Sequence, residues 1–298
     1  MASESTSRSV HLLPFGVPTL IIADDPQLRA AAAAAYSHWS AEAPVADPAL
    51  ELRLEIGCAS SIDVSFEIRV KGSRLWIAGE GIEGTADAAT GSGHARVPAS
   101  LADDPVALTE LIDTLLLFQL ARHGRTPVHA SAFMLGDVAV VLAGGSGSGK
   151  STLALAATAR GLPILSDDTI FVQREPEFAV WGCPRPIHVF PEDGPAGSHP
   201  TRLRNGKLKK AIEAPAFTLK AEAAMLVLLE RGERLALTAI SAADALQSLM
   251  VLDSGFDLLA EESSDAIAVL ASRGAWRMTL EKDPAAAIDL LAHHFAGD

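Results

Sequence analysis

The stretch Val138-Ala139-Val140-Val141-Leu142-Ala143-Gly144-Gly145-Ser146-Gly147-Ser148-Gly149-Lys150-Ser151-Thr152 decides how this chain is read. Six apolar residues come first, six Gly or Ser residues follow, and Lys150, Ser151 and Thr152 close the run. The apolar run has the length and composition of a buried strand. The Ala- and Leu-rich residues 150–160 behind it read as a helix. The loop between them fits the pattern GxxxxGK[ST], and each part of that pattern has a physical reason. Glycines let the backbone wrap so that its N–H groups converge on a phosphate. The helix adds the positive end of its dipole. Lys150 supplies a point charge to β and γ phosphates, and the Ser151 hydroxyl can ligate Mg²⁺. Gly144, Gly145, Ser146, Gly147, Ser148, Gly149, Lys150, Ser151 and Thr152 are therefore expected to bind nucleotide phosphates. A glycine turn that merely joined strand to helix would not require the Lys-Ser-Thr ending.

Three further features gather around this loop. Leu162-Pro163-Ile164-Leu165-Ser166-Asp167-Asp168 reads as a short buried strand ending in two carboxylates. Side chains alternate along a strand, so the two cannot face the same way. One suits a metal and the other an incoming hydroxyl, a division that fits phosphoryl transfer. A helix cap or a solvated turn is the plainer alternative. Upstream, His129 lies in Val128-His129-Ala130-Ser131, on a strand expected to neighbour the loop's strand. Taken alone, such a histidine reads as a satisfied core residue. Downstream, Arg185 between Pro184 and Pro186 is a candidate for stabilising transition-state charge. A surface ion pair is its alternative.

The rest of the chain bounds the reading. It has 298 residues, with 24 Lys plus Arg against 37 Asp plus Glu, a net charge of −13. That balance argues against a general nucleic-acid or anionic-membrane binder. With 49% hydrophobic and 20% charged residues, the chain is globular rather than disordered. Cys58 and Cys183 stand far apart, which speaks against a disulfide framework or a structural zinc site. No signal-peptide layout or membrane-length apolar run is present, so a cytoplasmic location is expected. Arg202, Arg204, Lys207, Lys209 and Lys210 form a basic loop within residues 199–210. It could close over phosphates or hold an acidic peptide or metabolite, or simply be solvated.

Strand-like alternation marks residues 51–56 and 64–70, with a hairpin return at 74–78. Residues 79–93 carry no readable pattern. Residues 105–123 form an amphipathic helix by the spacing of Leu108, Leu111, Ile112, Leu115, Leu116 and Leu120. Residues 127–135 and 224–230 read as strands, 234–239 as another, with helices running to Phe295.

The order and spacing of His129, the Gly144 to Thr152 loop and Asp167-Asp168 resemble the catalytic domain of the HPr serine kinase/phosphorylase family. That family is itself similar to phosphoenolpyruvate carboxykinases around the loop. The resemblance implies a mixed α/β (α+β) protein with a P-loop kinase core of this type in residues 105–298 and a smaller α+β part in residues 1–104. It implies an ATP-dependent kinase with Mg²⁺, acting on a serine-type hydroxyl of a protein, peptide or small metabolite. Ser151 and Asp167 would hold Mg²⁺, Asp168 would accept the hydroxyl proton, and His129 would sit beside the reacting phosphate. The two aspartate roles could be exchanged. The family has an acidic residue after the loop serine where this chain has Thr152. The first hundred residues also differ, so the reading is a related kinase with an acceptor of its own. A homo-oligomer is compatible with the resemblance. A nucleotide-binding regulator with slow or no hydrolysis is the alternative function.

Overall fold

The computed structural model describes residues 8–57, 65–191, 200–202, 208–250 and 260–295. The chain divides into two compact units, Met1–Arg125 and Thr126–Asp298.

The first unit is one sheet with helices on one side. Its elements are β1 (Ser9–Leu12), β2 (Thr19–Ala23), α1 (Pro26–Ala35), β3 (Leu50–Ile56), β4 (Phe66–Lys71), β5 (Arg74–Gly79), β6 (Ile82–Asp87), β7 (Ser92–Val97) and α2 (Pro105–Arg122). The strand order is β1-β2-β3-β7-β6-β5-β4. Alternate residues such as Leu50, Leu52, Leu54, Leu75, Ile77 and Ile82 are buried, so one face is covered. Asp25 caps α1 by accepting the Leu28 N–H at 2.8 Å, with Pro26 in the first turn. Two expectations need correcting here. The unreadable residues 79–93 carry β6 and the start of β7, whose small and polar residues mask the alternation. The unit also ends at Arg125 and keeps α2, where the sequence had suggested a break after residue 104. Its buried Leu108, Leu111, Ile112, Leu115 and Leu116 belong to this sheet's core, since α2 packs on β3, β6 and α1. The Tyr36 hydroxyl donates to the Asp113 carboxylate at 2.5 Å, fastening the end of α1 to α2.

The boundary falls after the first residue of β8 (Arg125–Val128), and the second unit continues with β9 (Ala130–Leu135), β10 (Val138–Ala143), α3 (Lys150–Ala159) and β11 (Ile164–Ser166). It continues through β12 (Ile170–Gln173), β13 (Ala179–Trp181), β14 (Ile187–Val189), β15 (Pro200–Arg202), β16 (Leu208–Ile212), β17 (Lys220–Ala221), β18 (Ala223–Arg231) and β19 (Ala236–Ile240). The last elements are α4 (Ala242–Met250), α5 (Ala260–Ser272), β20 (Ala275–Leu280) and α6 (Pro284–Phe295). The main sheet runs β11-β9-β10-β18-β20-β19, with β10, β18 and β20 parallel. Both faces of its centre are covered. Val141, Leu226 and Leu228 pack with Ala245, Leu249 and Leu270. Val140, Leu142, Val227 and Leu229 pack with Leu153, Ala157 and Ile288. That double burial is why β10 and β18 read as unbroken apolar runs. No helix among the described residues is long and apolar enough to cross a membrane.

Two local expectations also change. β20 was not foreseen, because only Ala275, Met278 and Leu280 along it are buried and neither period emerges. The basic segment 199–210 is flanked by paired strands rather than being wholly a loop, since β15 and β16 are antiparallel. Arg204 and Lys207 lie outside the described residues.

Gly182 fixes how β13 meets the end of β11. A Cβ there would fall 2.0 Å from the Leu165 carbonyl oxygen, while the Gly182 N–H donates to Leu219 O at 2.9 Å. Backbone cannot yield as a flexible side chain can. Gly182→Ala is therefore expected to cost about 1–3 kcal/mol or more, read as a lower urea midpoint at constant slope.

Candidate functional site

One strand, β9, assembles the site. It is antiparallel to β10 with Ala130 opposite Ala143, so His129 lies level with Gly144. It is also antiparallel to β11 with Ala132 opposite Ser166, so Ser131 comes level with Asp167. The beginning of β9 thus meets the ends of its two neighbours, and the residues singled out from sequence converge on one end of the sheet. His129 itself sits in the bend between β8 and β9, and these belong to different sheets.

The glycine loop joins β10 to α3 as expected, with Gly149 as the N-cap in the left-handed region at φ 110°. A Cβ on Gly144, at φ 157°, would come within 2.8 Å of Ser148 Oγ and 2.9 Å of Leu229 O. Only glycine leaves the space that the loop curls around. The Lys150 ammonium is buried and donates to Gly144 O at 2.7 Å and Gly145 O at 3.3 Å. Ser148 Oγ is buried with no hydrogen-bond partner among the described residues. A buried hydroxyl without a partner is costly, and a phosphate oxygen would satisfy it.

The two aspartates follow β11 in a bend rather than continuing the strand, and their surroundings differ. Asp167 is buried; its Oδ1 accepts the Ser131 hydroxyl at 2.7 Å and its Oδ2 accepts the His188 backbone N–H at 2.9 Å. Asp168 is exposed and has φ 78°, a left-handed conformation rare outside glycine. Its carboxylate lies 3.4 Å from His129 Nδ1. A non-glycine residue held there points to a functional constraint.

His129 is held neutral more firmly than a free imidazole. Burial lowers its pKa most, the Asp168 charge pulls it back up, and the Lys150 charge lowers it again. The unfolded chain therefore binds a proton that the folded chain does not between the lowered value and about 6.5. Its contribution to stability is full above about 6.5 and is lost as pH falls through the folded value. The urea midpoint of the metal-free protein is expected to drop from pH 7.5 to pH 5.5, and the drop should shrink in His129→Asn.

Sequence reasoning missed three residues. Ser131 could have been found, because it stands two residues after His129 and so on the same side of the strand. His188 contributes a backbone N–H, which has no sequence signature. Arg231 ends β18 and lies against the N-cap of α3; a Cβ on Gly149 would meet its guanidinium at 3.2 Å. Which strand neighbours β10 could not be read from the sequence, so neither could Arg231. Arg185 lies within electrostatic range of His188, as do Asp167, Lys209 and Asp168.

The donor set fits a nucleotide carrying Mg²⁺. Ser151 and Asp167 offer hard oxygens, the chemistry this ion prefers. Among the described residues, no three or more His, Cys, Asp or Glu side chains are grouped so as to hold a metal ion by themselves. Mg²⁺ bound through one or two protein oxygens plus phosphates needs no such cluster.

Among solved structures, the HPr(Ser) kinase/phosphatase from Coxiella burnetii is similar at 12% identity and a TM-score of 0.32. The match covers 56% of this chain and 94% of that one. No protein-family profile matches the sequence, and no curated protein matches it.

Proposed function

We propose that this chain is a phosphotransferase that moves the γ-phosphoryl group of ATP to an alcohol hydroxyl. The observation that carries this reading is the division between the two aspartates. One carboxylate is buried and fixed by two donors, and its neighbour is exposed, held in a left-handed conformation beside a histidine. The residues Gly144 to Thr152 would bind the phosphates, with Lys150 neutralising charge that develops on them. Mg²⁺, held by Ser151 and Asp167, would supply charge neutralisation on the β and γ phosphates. Ser131 and the His188 N–H keep Asp167 in one orientation. Asp168 takes the proton of the acceptor hydroxyl as the new O–P bond forms and the bond to the leaving diphosphate breaks. Neutral His129 holds the Asp168 carboxylate toward the loop.

Phosphorus NMR tests the reading, with MgATP, purified protein and a panel of hydroxyl acceptors that includes free serine and serine peptides. A new phosphoester signal is expected, and it should vanish with Lys150→Ala. MgATP binding without any phosphoester would overturn the transferase reading and favour a nucleotide-dependent regulator.

A further inference from the structure

Arg231 stands where a cation is out of place. Val227, Leu229 and Arg231 share one face of β18 by strand alternation. Val227 and Leu229 pack there with Leu153 and Ala157 of α3. Arg231 carries that face past the core to the start of the helix. A Cβ on Gly149, the N-cap of α3, would lie 3.2 Å from Arg231 Nη2 and 3.5 Å from its Cζ. A helix N-terminus carries partial positive charge and favours anions, not cations. The buried Lys150 ammonium adds a full charge in the first turn. Arg231 is nevertheless exposed, with no hydrogen bond and no carboxylate within 4.0 Å among the described residues. The chain has 37 Asp plus Glu, so partners are not scarce. The adjacent Glu230 lies on the other face, engaged by Thr279 Oγ1 at 2.9 Å and Arg277 Nε at 3.7 Å. A second donor lies at the same flank of the glycine loop. Ser148 Oγ is buried without a partner among the described residues. A Cβ on Gly144 would sit 2.8 Å from it and 2.9 Å from Leu229 O, which places the hydroxyl beside the end of β18. An oxyanion satisfies both donors.

We infer that Arg231 and Ser148 Oγ bind the α-phosphate end of the donor nucleotide, the end farthest from the bond that breaks. This rests on the phosphotransferase reading of the same loop and deepens it by orienting the donor. Sheet order supplies the direction. The strands run β11-β9-β10-β18, with Asp167 and Asp168 following β11 and Arg231 ending β18. Neighbouring strands lie about 4.8 Å apart, so the ends of β11 and β18 are separated by about 14 Å. The glycine loop leaves the end of β10, between them. The phosphoryl group that is transferred must reach the acceptor hydroxyl at Asp168, on the β11 side. The rest of the nucleotide then crosses the loop toward β18, where the guanidinium forks onto phosphate oxygens. An anion at this place also removes the repulsion between Arg231 and the N-terminus of α3.

Calorimetric titration of MgATP and MgADP into the wild type and Arg231→Gln tests it. Both Kd values are expected to rise by about 10- to 150-fold. The factor should be the same for the two nucleotides, because both keep the α-phosphate. A loss confined to MgATP would put the guanidinium on the γ-phosphate and overturn the assignment, as would unchanged affinity for both. Arg231→Lys keeps the charge without the fork and should recover part of the loss. Ser148→Ala should raise both Kd values by about 2- to 10-fold; no change would remove Ser148 from the site. A merely structural arginine is told apart by stability. Without nucleotide, the urea midpoint of Arg231→Gln should equal or exceed that of the wild type, since a cation beside a helix N-terminus is gone. A lower midpoint would overturn the inference. With an acceptor that yields a phosphoester, the loss should appear in KM for MgATP rather than in kcat. A fall in kcat alone would place Arg231 at the reacting phosphoryl group instead. The titrations need no acceptor, so the two readings fail separately. Equal losses for both nucleotides with no phosphoester formed would remove the transferase and keep the Arg231 site. Phosphoester formation with normal nucleotide affinity in Arg231→Gln would do the reverse.

Discussion

Asp168→Asn is expected to lower phosphoryl-transfer turnover by about 10²- to 10⁴-fold, with little change in MgATP affinity or folding stability. The substitution isolates the proton acceptor from everything else the residue does. Asn has nearly the same shape and is among the few residues that tolerate the left-handed backbone found here, φ 78°. Ala would add backbone strain and confuse the result. The side chain is 67% exposed, so no packing is lost. Losing the Asp168 charge removes an influence that raises the His129 pKa, so His129 stays neutral. Asp167→Asn should behave differently. That side chain accepts the His188 N–H and the Ser131 hydroxyl. An amide can keep its oxygen on the first only by turning its NH2 toward Ser131, whose hydroxyl must rotate to accept, and the negative charge that would face Mg²⁺ is gone. It should therefore weaken Mg²⁺-dependent nucleotide binding and lower stability. Single-turnover kinetics and equilibrium titration of both variants separate the roles. The reverse pattern would exchange the two aspartates, and full turnover in Asp168→Asn would deny that residue the proton.

The reason these residues meet was only partly legible. The glycine loop was readable because its requirements are local: small residues, a lysine, and a helix starting at once. The buried strand ending in Asp167 and Asp168 was readable for the same reason. What the sequence did not disclose was the pairing partner of each strand. His129 and Ser131 owe their positions to β9 lying between β10 and β11, a fact of register. Arg231 reaches α3 because β18 is parallel to β10 with Leu228 opposite Ala143, and nothing near either strand encodes that choice. β6 and β20 went unseen for a different reason. Their buried positions include Ala86 and Ala275, too small to make a hydrophobic alternation stand out. α2 was recognised as a helix but assigned to the wrong unit, since an apolar stripe says that a helix is covered and not by what.

Lys150→Met should remove most nucleotide affinity while sparing the fold. The lysine is only 7% exposed, and its ammonium bonds Gly144 O and Gly145 O, so it draws the loop inward around one charge. Methionine keeps the apolar stem that fills this space. What it loses is a charged hydrogen bond to phosphate, about 1.5–3 kcal/mol, or roughly 10- to 150-fold in affinity. Thermodynamic linkage makes the loss visible without any assay of transfer. At a MgATP concentration of about 100 times the wild-type Kd, ligand stabilises the native protein by about 2.7 kcal/mol. With Kd raised about 100-fold, the same concentration yields only about 0.4 kcal/mol. The two proteins should therefore unfold at similar denaturant without nucleotide and well apart with it. Equal nucleotide-induced shifts would show that Lys150 does not meet the phosphates. A difference already present without nucleotide would show that the lysine's bonds to the loop carbonyls are chiefly structural, and the phosphate site would then have to be sought from Ser148 Oγ and the N–H groups of α3.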